Sequence, residues 1–216
     1  MYLPAPFRHD DDQAIFDLIE SAPFATVVTP PARAQALEGS AEADMMVSHL
    51  PIALRRLGGG RAELRGHLAR GNGHWRHFDG LRESLLIFHG PHAYVSPSWY
   101  DEPAAPPTWN YVVVHVHGRP RCIDSGAETV ELLDELVGRY EQKPLALSAT
   151  ARRALERGIV GFELGFELGV DRVEAKFKLG QNKSPGDRGG TVAALESAGD
   201  VERELAAWTR RLTELA

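Results

Sequence analysis

The chain has 216 residues, 43% hydrophobic and 25% charged, and its 24 basic and 30 acidic side chains give a formal net charge of −6. This composition is typical of one globular domain or two small ones and excludes a disordered, collagen-like or rod-like chain. The negative charge disfavours nonspecific binding to nucleic acid, which depends on clustered lysine and arginine. The single cysteine, Cys122, cannot form an intrachain disulfide, so we expect a cytoplasmic protein. No apolar run approaches the roughly 20 residues that span a bilayer, so no membrane association is expected.

The first half of the chain predicts one helix followed by short strands. Asp10 is a candidate N-cap for a helix over residues 11–21, and the β-branched run 24–29 predicts a buried strand. Residues 30–43 are predicted to be a loop or irregular insert. Further strands are predicted at 45–54, 62–68, 84–88 and 93–95, with turns at Gly58–Gly60 and Gly90–Pro91 and a short helix that begins near Asn72.

The second half predicts further strands and three helices. The strongest strand pattern is 111–116, after a proline-rich loop at 102–107. Two more strands are predicted at 162–168 and 173–179, and helices at 128–140 and 151–157. Near the C-terminus, apolar residues spaced four, three, four and three apart predict a helix that docks on its own barrel or on a second subunit: Val201, Leu205, Trp208, Leu212 and Leu215. Strands joined by short turns, with helices near the ends, predict a mainly β protein with peripheral helices (α+β) built as an antiparallel barrel.

Leu64–His77 is the first of three stretches with ligand-binding character. It runs from a predicted strand that carries His67, through Arg70, to a predicted helix capped by Asn72. Backbone N–H groups at a helix start, with an arginine beside them, suit a phosphate monoester. A plain turn with a surface arginine is the alternative.

The other two stretches are aromatic and basic. Phe88–Tyr111 holds two of the four tryptophans and three of the five tyrosines between prolines, which suits a flat heterocycle or else a core lid or subunit contact. Glu174–Arg188 holds three of the four lysines. Lys176 and Lys178 share one face of a predicted strand and suit an anionic ligand, the alternative being solvated charge.

Several common catalytic motifs are absent from the sequence, including the glycine motifs of dinucleotide and P-loop sites and the signatures of zinc proteases and serine hydrolases. Two histidine pairs, His115 with His117 and His74 with His77, have spacings that could hold zinc. We expect structural roles for these histidines and no metal site.

Four motifs occur in order along the chain: HLARGNGHW, GPHAYVSPSWY, PTWNYVVVHVHG and EAKFKLGQNKS. With them the chain resembles the PaiB family of FMN-binding negative transcriptional regulators, from Met1 to about Arg188. The resemblance implies an FMN-binding split β-barrel, related to that of pyridoxamine-phosphate oxidases, which forms a homodimer with FMN at the subunit interface. It places this barrel, with its N-terminal helix, in residues 1–190. Residues 191–216 are then a helical extension that packs on the barrel or the dimer partner.

The resemblance assigns FMN contacts to three parts of the chain. The strand along the isoalloxazine ring corresponds to Ser48, His49, Leu50 and Pro51. The phosphate and ribityl segment corresponds to His67, Leu68, Ala69, Arg70 and Asn72. The other barrel wall, from the same or the partner subunit, corresponds to Trp109, Asn110, Lys178 and Gln181. The sequence departs from the family pattern at Gly71–Gly73, where A-N-P is usual, and at Gly180, where the family has serine.

Two other functions stay open on the sequence. One is a small FMN-dependent oxidoreductase with unassigned catalytic residues, for which His67 and Tyr94 are conceivable proton donors. The other is a split barrel that binds haem through a histidine. DNA binding is weakly supported, because the sequence contains no helix-turn-helix pattern and no basic helix.

Overall fold

The structure is a computed structural model. It describes residues 1–31, 45–101, 106–141, 148–167 and 171–214. The strands of this part are β1 Phe24–Thr29, β2 Met46–Gly58, β3 Arg61–Ala69, β4 Ser84–Val95, β5 Thr108–Gly118, β6 Arg121–Cys122, β7 Ile159–Glu167 and β8 Val173–Lys178. Its α-helices are α1 Asp12–Ser21, α2 Gly126–Tyr140, α3 Ala149–Gly158, α4 Pro185–Glu196 and α5 Asp200–Glu214. Short 3-10 helices lie at Ala5–Phe7, Gly73–His77 and Pro97–Trp99.

The strands form an eight-stranded sheet in the order β6-β7-β3-β2-β1-β4-β5-β8. The pairs β1–β2, β1–β4, β2–β3, β3–β7 and β6–β7 are antiparallel. The hairpin between β2 and β3 turns at Gly58–Gly60, whose φ angles of 83°, 62° and 76° lie in the left-handed region that glycine adopts without steric cost. The predicted α+β class with an antiparallel sheet is confirmed.

The chain divides into two compact units, of which one comprises residues 19–88 and 115–173. Its core contains large apolar side chains with almost no exposed surface: Ile52, Leu64, Leu68, Phe162 and Leu164. β3 packs closely at Gly66, where an added Cβ would lie 2.8 Å from the Phe162 ring. A side chain at this position would have to displace a fully buried aromatic ring.

The other unit comprises residues 1–18, 89–114 and 174–216. Phe177 of β8 is fully buried in it. Its ring stacks on His9 with centroids 4.4 Å apart and meets Trp208 of α5 edge-on at 5.3 Å. The predicted apolar stripe of α5 is thus buried at Leu205 and Trp208, whereas Val201 is 46% exposed.

Some element boundaries differ from the predictions. The first helix is capped by Asp11 rather than Asp10, because the Asp11 carboxylate accepts from the Ala14 amide at 2.7 Å. Gly90–Pro91 does not form the predicted turn. It lies inside β4, where the missing Cβ of Gly90 lets Leu18 approach (2.4 Å from an added Cβ). Most of the predicted loops at 30–43 and 102–107, and Leu215, lie outside the described residues.

Helix α4 was not predicted. Its N-terminus nevertheless carries a recognisable signal, since Ser184 caps it by accepting from the Asp187 amide at 3.0 Å and Pro185 occupies the first turn. None of the helices in the described part of the chain is both long and apolar enough to cross a membrane.

Candidate functional site

Nine of the thirteen predicted cofactor contacts lie in the unit of residues 19–88 and 115–173, where β2 changes partners. β2 pairs with β1 from Met46 to Pro51 and with β3 from Ile52 to Gly58. Along Ser48–Pro51 the register with β3 has ended, so that edge of the backbone can offer N–H and C=O groups to a ligand. The side chains alternate, Ser48 and Leu50 being buried while His49 is exposed. The four predicted contacts of this strand therefore divide between its two faces.

Arg70 follows β3 and is held by the end of α3. Its Nε donates to the Arg157 carbonyl at 3.0 Å and its Nη2 to the Ile159 carbonyl at 3.1 Å, while its backbone amide donates to the Gly158 carbonyl at 2.7 Å. These bonds fix the guanidinium plane, which also lies 6.0 Å from the Trp75 ring centre. Among the described residues no hydrogen-bond partner lies at Nη1, which is the guanidinium nitrogen that could meet a ligand. Arg70 is thus both a helix-end clamp and an oriented cation.

Asn72 caps the next helix as predicted, with its Oδ1 accepting from the His74 amide at 3.1 Å. The helix, however, is a five-residue 3-10 helix, Gly73–His77. Such a short helix lacks the row of aligned peptide dipoles that favours a phosphate, so the predicted phosphate contact depends on Arg70 and not on a helix N-terminus. The Asn72 Nδ2 instead donates to the Ser48 hydroxyl at 3.1 Å.

A buried polar network joins this segment to β1, β2 and β4. His74 is fully buried; its Nδ1 lies 2.9 Å from the Ser48 hydroxyl and its Nε2 lies 2.8 Å from the Thr29 hydroxyl. Thr29 in turn lies 2.6 Å from the Ser84 hydroxyl. Burial, followed by the nearby His77, lowers the pKa of His74 to about 4, so the imidazole is neutral at pH 7. The sequence did not single out His74 as part of a cofactor site, because its partners come from distant strands.

The β3 residues of the predicted phosphate segment differ in what they can offer. The His67 Nδ1 is buried and has no hydrogen-bond partner among the described residues, and burial lowers the pKa of this imidazole. Leu68 is 1% exposed and contributes its side chain to the core. Ala69 is exposed. His67 is therefore the member of this group with unsatisfied polar capacity.

The other four predicted contacts belong to the unit of residues 1–18, 89–114 and 174–216. The Lys178 ammonium donates to the Trp109 carbonyl at 2.8 Å and to the Thr108 hydroxyl. Burial, and then the charges of Lys176 and Lys183, lower the pKa of Lys178. An anionic ligand would relieve this repulsion between like charges.

Trp109 is 54% exposed, and its ring lies 6.1 Å from that of His92 and 6.4 Å from that of Tyr94. These rings give β4 and β5 an aromatic outer face, and the suggestion that Phe88–Tyr111 meets a flat heterocycle, or else forms a core lid or subunit contact, stays a prediction. Asn110 is buried. The Gln181 amide is already engaged by its own strand, accepting from the Leu179 amide at 2.9 Å and donating to the Phe177 carbonyl.

Two further residues bear on the sequence expectations. Gly180 has a φ of 80°, so glycine suits this position better than the serine usual in the family.

The Cys122 thiol donates to the Trp75 carbonyl at 3.4 Å, and burial raises the pKa of this thiol. A protonated, half-buried thiol is a poor nucleophile.

Comparison with solved structures defines the class of fold. The chain matches the FAD and haem binding protein from Mycobacterium smegmatis with a TM-score of 0.56 and 16% identity, over 87% of this chain and 79% of that one. It matches the flavocytochrome Anf3 from Azotobacter vinelandii with a TM-score of 0.53 and 14% identity, over 79% of this chain and 69% of that one. The open strand order and these matches confirm the split-barrel fold.

Sequence comparison then identifies the family. The model of the family described as "Putative FMN-binding domain" matches residues 1–167, and the chain belongs to this family. It is also 29% identical over 199 residues to the Bacillus subtilis (strain 168) protein named Protease synthase and sporulation protein PAI 2, covering 91% of this chain and 90% of that protein. The PaiB-like resemblance and FMN as the cofactor are therefore confirmed.

Proposed function

We propose that FMN binds where β2 leaves β3, with its phosphate at Arg70. The observation that carries this proposal is the fixed guanidinium of Arg70, held by two carbonyls at 3.0 and 3.1 Å. Beside it, apart from the two chain neighbours of Gly71, no described residue comes within 4 Å of the position that a Cβ would take at Gly71. A pre-oriented cation next to open space suits a phosphate dianion, because little side-chain entropy is lost on binding.

The neighbouring groups suit the rest of the cofactor. FMN carries ribityl hydroxyls and a planar ring with donors and acceptors at its edge. Asn72 and Ser48, 3.1 Å apart, supply an amide and a hydroxyl, and the buried Nδ1 of His67 has no hydrogen-bond partner in the described part of the chain. The backbone edge of Ser48–Pro51, which lies beyond the register with β3, suits the isoalloxazine ring. Bound FMN would supply the redox chemistry, while the protein binds and orients it.

We further propose that the protein is a homodimer assembled through the outer face of β1 and β2. The register pairs Phe24 with Pro51 and Val28 with Val47 on this face. Phe24 is 67% and Val47 51% exposed. Contiguous exposed apolar surface on a sheet is typical of a protein–protein interface. A second copy is the occupant that the family resemblance implies.

The phosphate assignment can be tested by comparing FMN with riboflavin, which lacks the phosphate. We expect Arg70→Ala to weaken FMN binding roughly 10- to 100-fold, as a charge-assisted hydrogen bond warrants, and to change riboflavin binding little. Arg76→Ala is the matched control, because Arg76 is exposed and lies 5.1 Å from the same Trp75 ring. Equal losses for both flavins, or unchanged FMN affinity, would place the phosphate elsewhere.

The resemblance also implies repression of transcription, and we propose that this role does not rest on direct DNA contact. The net charge is −6. Each of three α5 arginines is paired with an acid: Arg203 with Asp200, Arg210 with Glu196 and Arg211 with Asp17. A gel-shift titration with promoter DNA over a salt series tests this proposal. Sequence-specific retardation that persists near physiological salt would contradict it.

A further inference from the structure

We propose that His74 is a positioning residue of the flavin site, which holds the Ser48 hydroxyl and the Asn72 amide in the arrangement that meets the cofactor. This inference rests on the function proposed above for Ser48 and Asn72. His74 does not contact the cofactor itself, since its side chain has no exposed surface, whereas Ser48 keeps 6% of its surface exposed. It acts through the two residues that it binds.

The hydrogen bonds around His74 form a closed ring. The Asn72 Oδ1 accepts from the His74 backbone amide at 3.1 Å, and the Asn72 Nδ2 donates to the Ser48 hydroxyl at 3.1 Å. The Ser48 hydroxyl then lies 2.9 Å from the His74 Nδ1. A ring that returns to its starting residue fixes both polar groups, because neither can rotate without breaking two bonds.

The Nε2 side of the imidazole is held by hydrogen bonds as well. The His74 Nε2 lies 2.8 Å from the Thr29 hydroxyl, which lies 2.6 Å from the Ser84 hydroxyl. Thr29 and Ser84 are buried. The ring thus connects the predicted cofactor strand β2 to buried hydroxyls of β1 and β4.

The proton position on His74 decides what Ser48 presents to a ligand. A neutral imidazole has one donor and one acceptor nitrogen. When Nδ1 carries the hydrogen, Ser48 accepts from both His74 and Asn72, and its own hydroxyl hydrogen is directed to a third partner. Thr29 then donates to Nε2, and Ser84 donates to Thr29. The phosphate and ring carbonyls of FMN are acceptors. This tautomer therefore lets the Ser48 hydroxyl donate a hydrogen bond to the cofactor.

A histidine that merely fills the core is the alternative, and two substitutions separate the roles. The side-chain amide of asparagine reaches the Nδ1 position, so His74→Asn can rebuild the bond to Ser48. The longer glutamine places its amide at the Nε2 position, so His74→Gln keeps the bond to Thr29 and loses the bond to Ser48. If His74 had only a structural role, the asparagine and glutamine variants would bind FMN with the same affinity.

The experiment is an FMN titration of the full-length wild type, His74→Gln, His74→Asn, Ser48→Ala and the Ser48→Ala/His74→Gln double variant, with urea unfolding of each. We expect His74→Gln to weaken FMN binding about tenfold, as Ser48→Ala does, and His74→Asn to recover most of that loss. The double variant should bind FMN about as weakly as either single variant, because coupled residues act as one unit. Both histidine variants should be less stable than the wild type.

The inference is overturned if the wild type binds FMN and the asparagine and glutamine variants share one affinity, a result that leaves the proposed function standing. It falls together with the proposed function if the wild type takes up no FMN. Should neither histidine variant fold, Thr29→Val supplies the test: it removes the hydroxyl that donates to Nε2 and so releases the hydrogen from Nδ1, and FMN affinity should fall about threefold to tenfold, towards that of Ser48→Ala. FMN affinity equal to that of the wild type in Thr29→Val would overturn the inference.

Discussion

His74 also makes the stability of the fold depend on pH. Burial lowers its pKa to about 4 in the folded protein, against about 6.5 in an unfolded chain. Between these values the unfolded state binds a proton that the folded state does not, so stability falls as the pH falls from 6.5 towards 4. We expect this group alone to lower the free energy of unfolding by roughly 2 to 3 kcal/mol between pH 7 and pH 4.5.

Urea unfolding at the two pH values measures this contribution when wild type is compared with His74→Gln, which has no titratable group there. The wild type should lose more stability on acidification than the variant does. Acid losses of the same size in both proteins would show that His74 does not titrate as described.

The single residues of the site were predictable only in part. The Asn72 cap is visible in the sequence because its partner, the His74 amide, lies two residues away. The partners of Arg70 are 87 and 89 residues away in the chain, and no local pattern reveals them. For the same reason the sequence predicted Arg70 as a phosphate ligand, which stays a prediction, but did not predict it as a clamp on the end of α3.

At the scale of elements, α4 provides a matched test of packing. An added Cβ at Gly190 would lie 2.0 Å from the Trp99 carbonyl oxygen, whereas one at Gly189 would have no described residue within 4 Å apart from its own helix. We expect Gly190→Ala to destabilise the protein by about 2 kcal/mol, because the helix must shift away from backbone. Gly189→Ala should stabilise it by up to about 1 kcal/mol through helix propensity.

Thermal or urea unfolding of the two alanine variants checks this contrast. The substitutions are chemically identical and adjacent in one helix, so each is the control for the other. Equal effects of the same sign would mean that α4 does not pack against Pro97–Trp99 as closely as described.

Elements with a strong local signal were predicted well, and those that depend on distant contacts were not. The β-branched run gave β1 with its bounds at Phe24 and Thr29. β4 was divided at Gly90–Pro91 because these residues usually mark turns, whereas here Gly90 serves a close approach to Leu18 inside a strand. α4 was overlooked although Ser184 and Pro185 mark its start.

For the whole molecule, the proposed dimer makes a direct prediction. Phe24→Asp places a charge on the exposed β1–β2 face at a residue that is 67% exposed, and burying an unpaired charge in an interface is strongly unfavourable. We expect the variant to be monomeric in analytical ultracentrifugation while the wild type is dimeric. Leu81→Asp is the control, because Leu81 is 79% exposed and lies outside this face. A monomeric wild type, or a dimer that survives Phe24→Asp, would exclude this interface.

The fold class could be read from the sequence because short turns between strands leave few arrangements other than an antiparallel sheet. The grouping of the site residues could not. Ser48 and Asn72, 24 residues apart in the chain, meet where β2 pairs with β1 and no longer with β3, and this change of partner is a property of the assembled sheet.

The most direct test is an equilibrium titration of the purified full-length protein with FMN, followed by the absorption and fluorescence of the flavin. Binding should saturate at one FMN per chain and perturb the flavin bands, as expected for a ring removed from water. Flavin spectra that stay unchanged at every protein concentration would contradict the account.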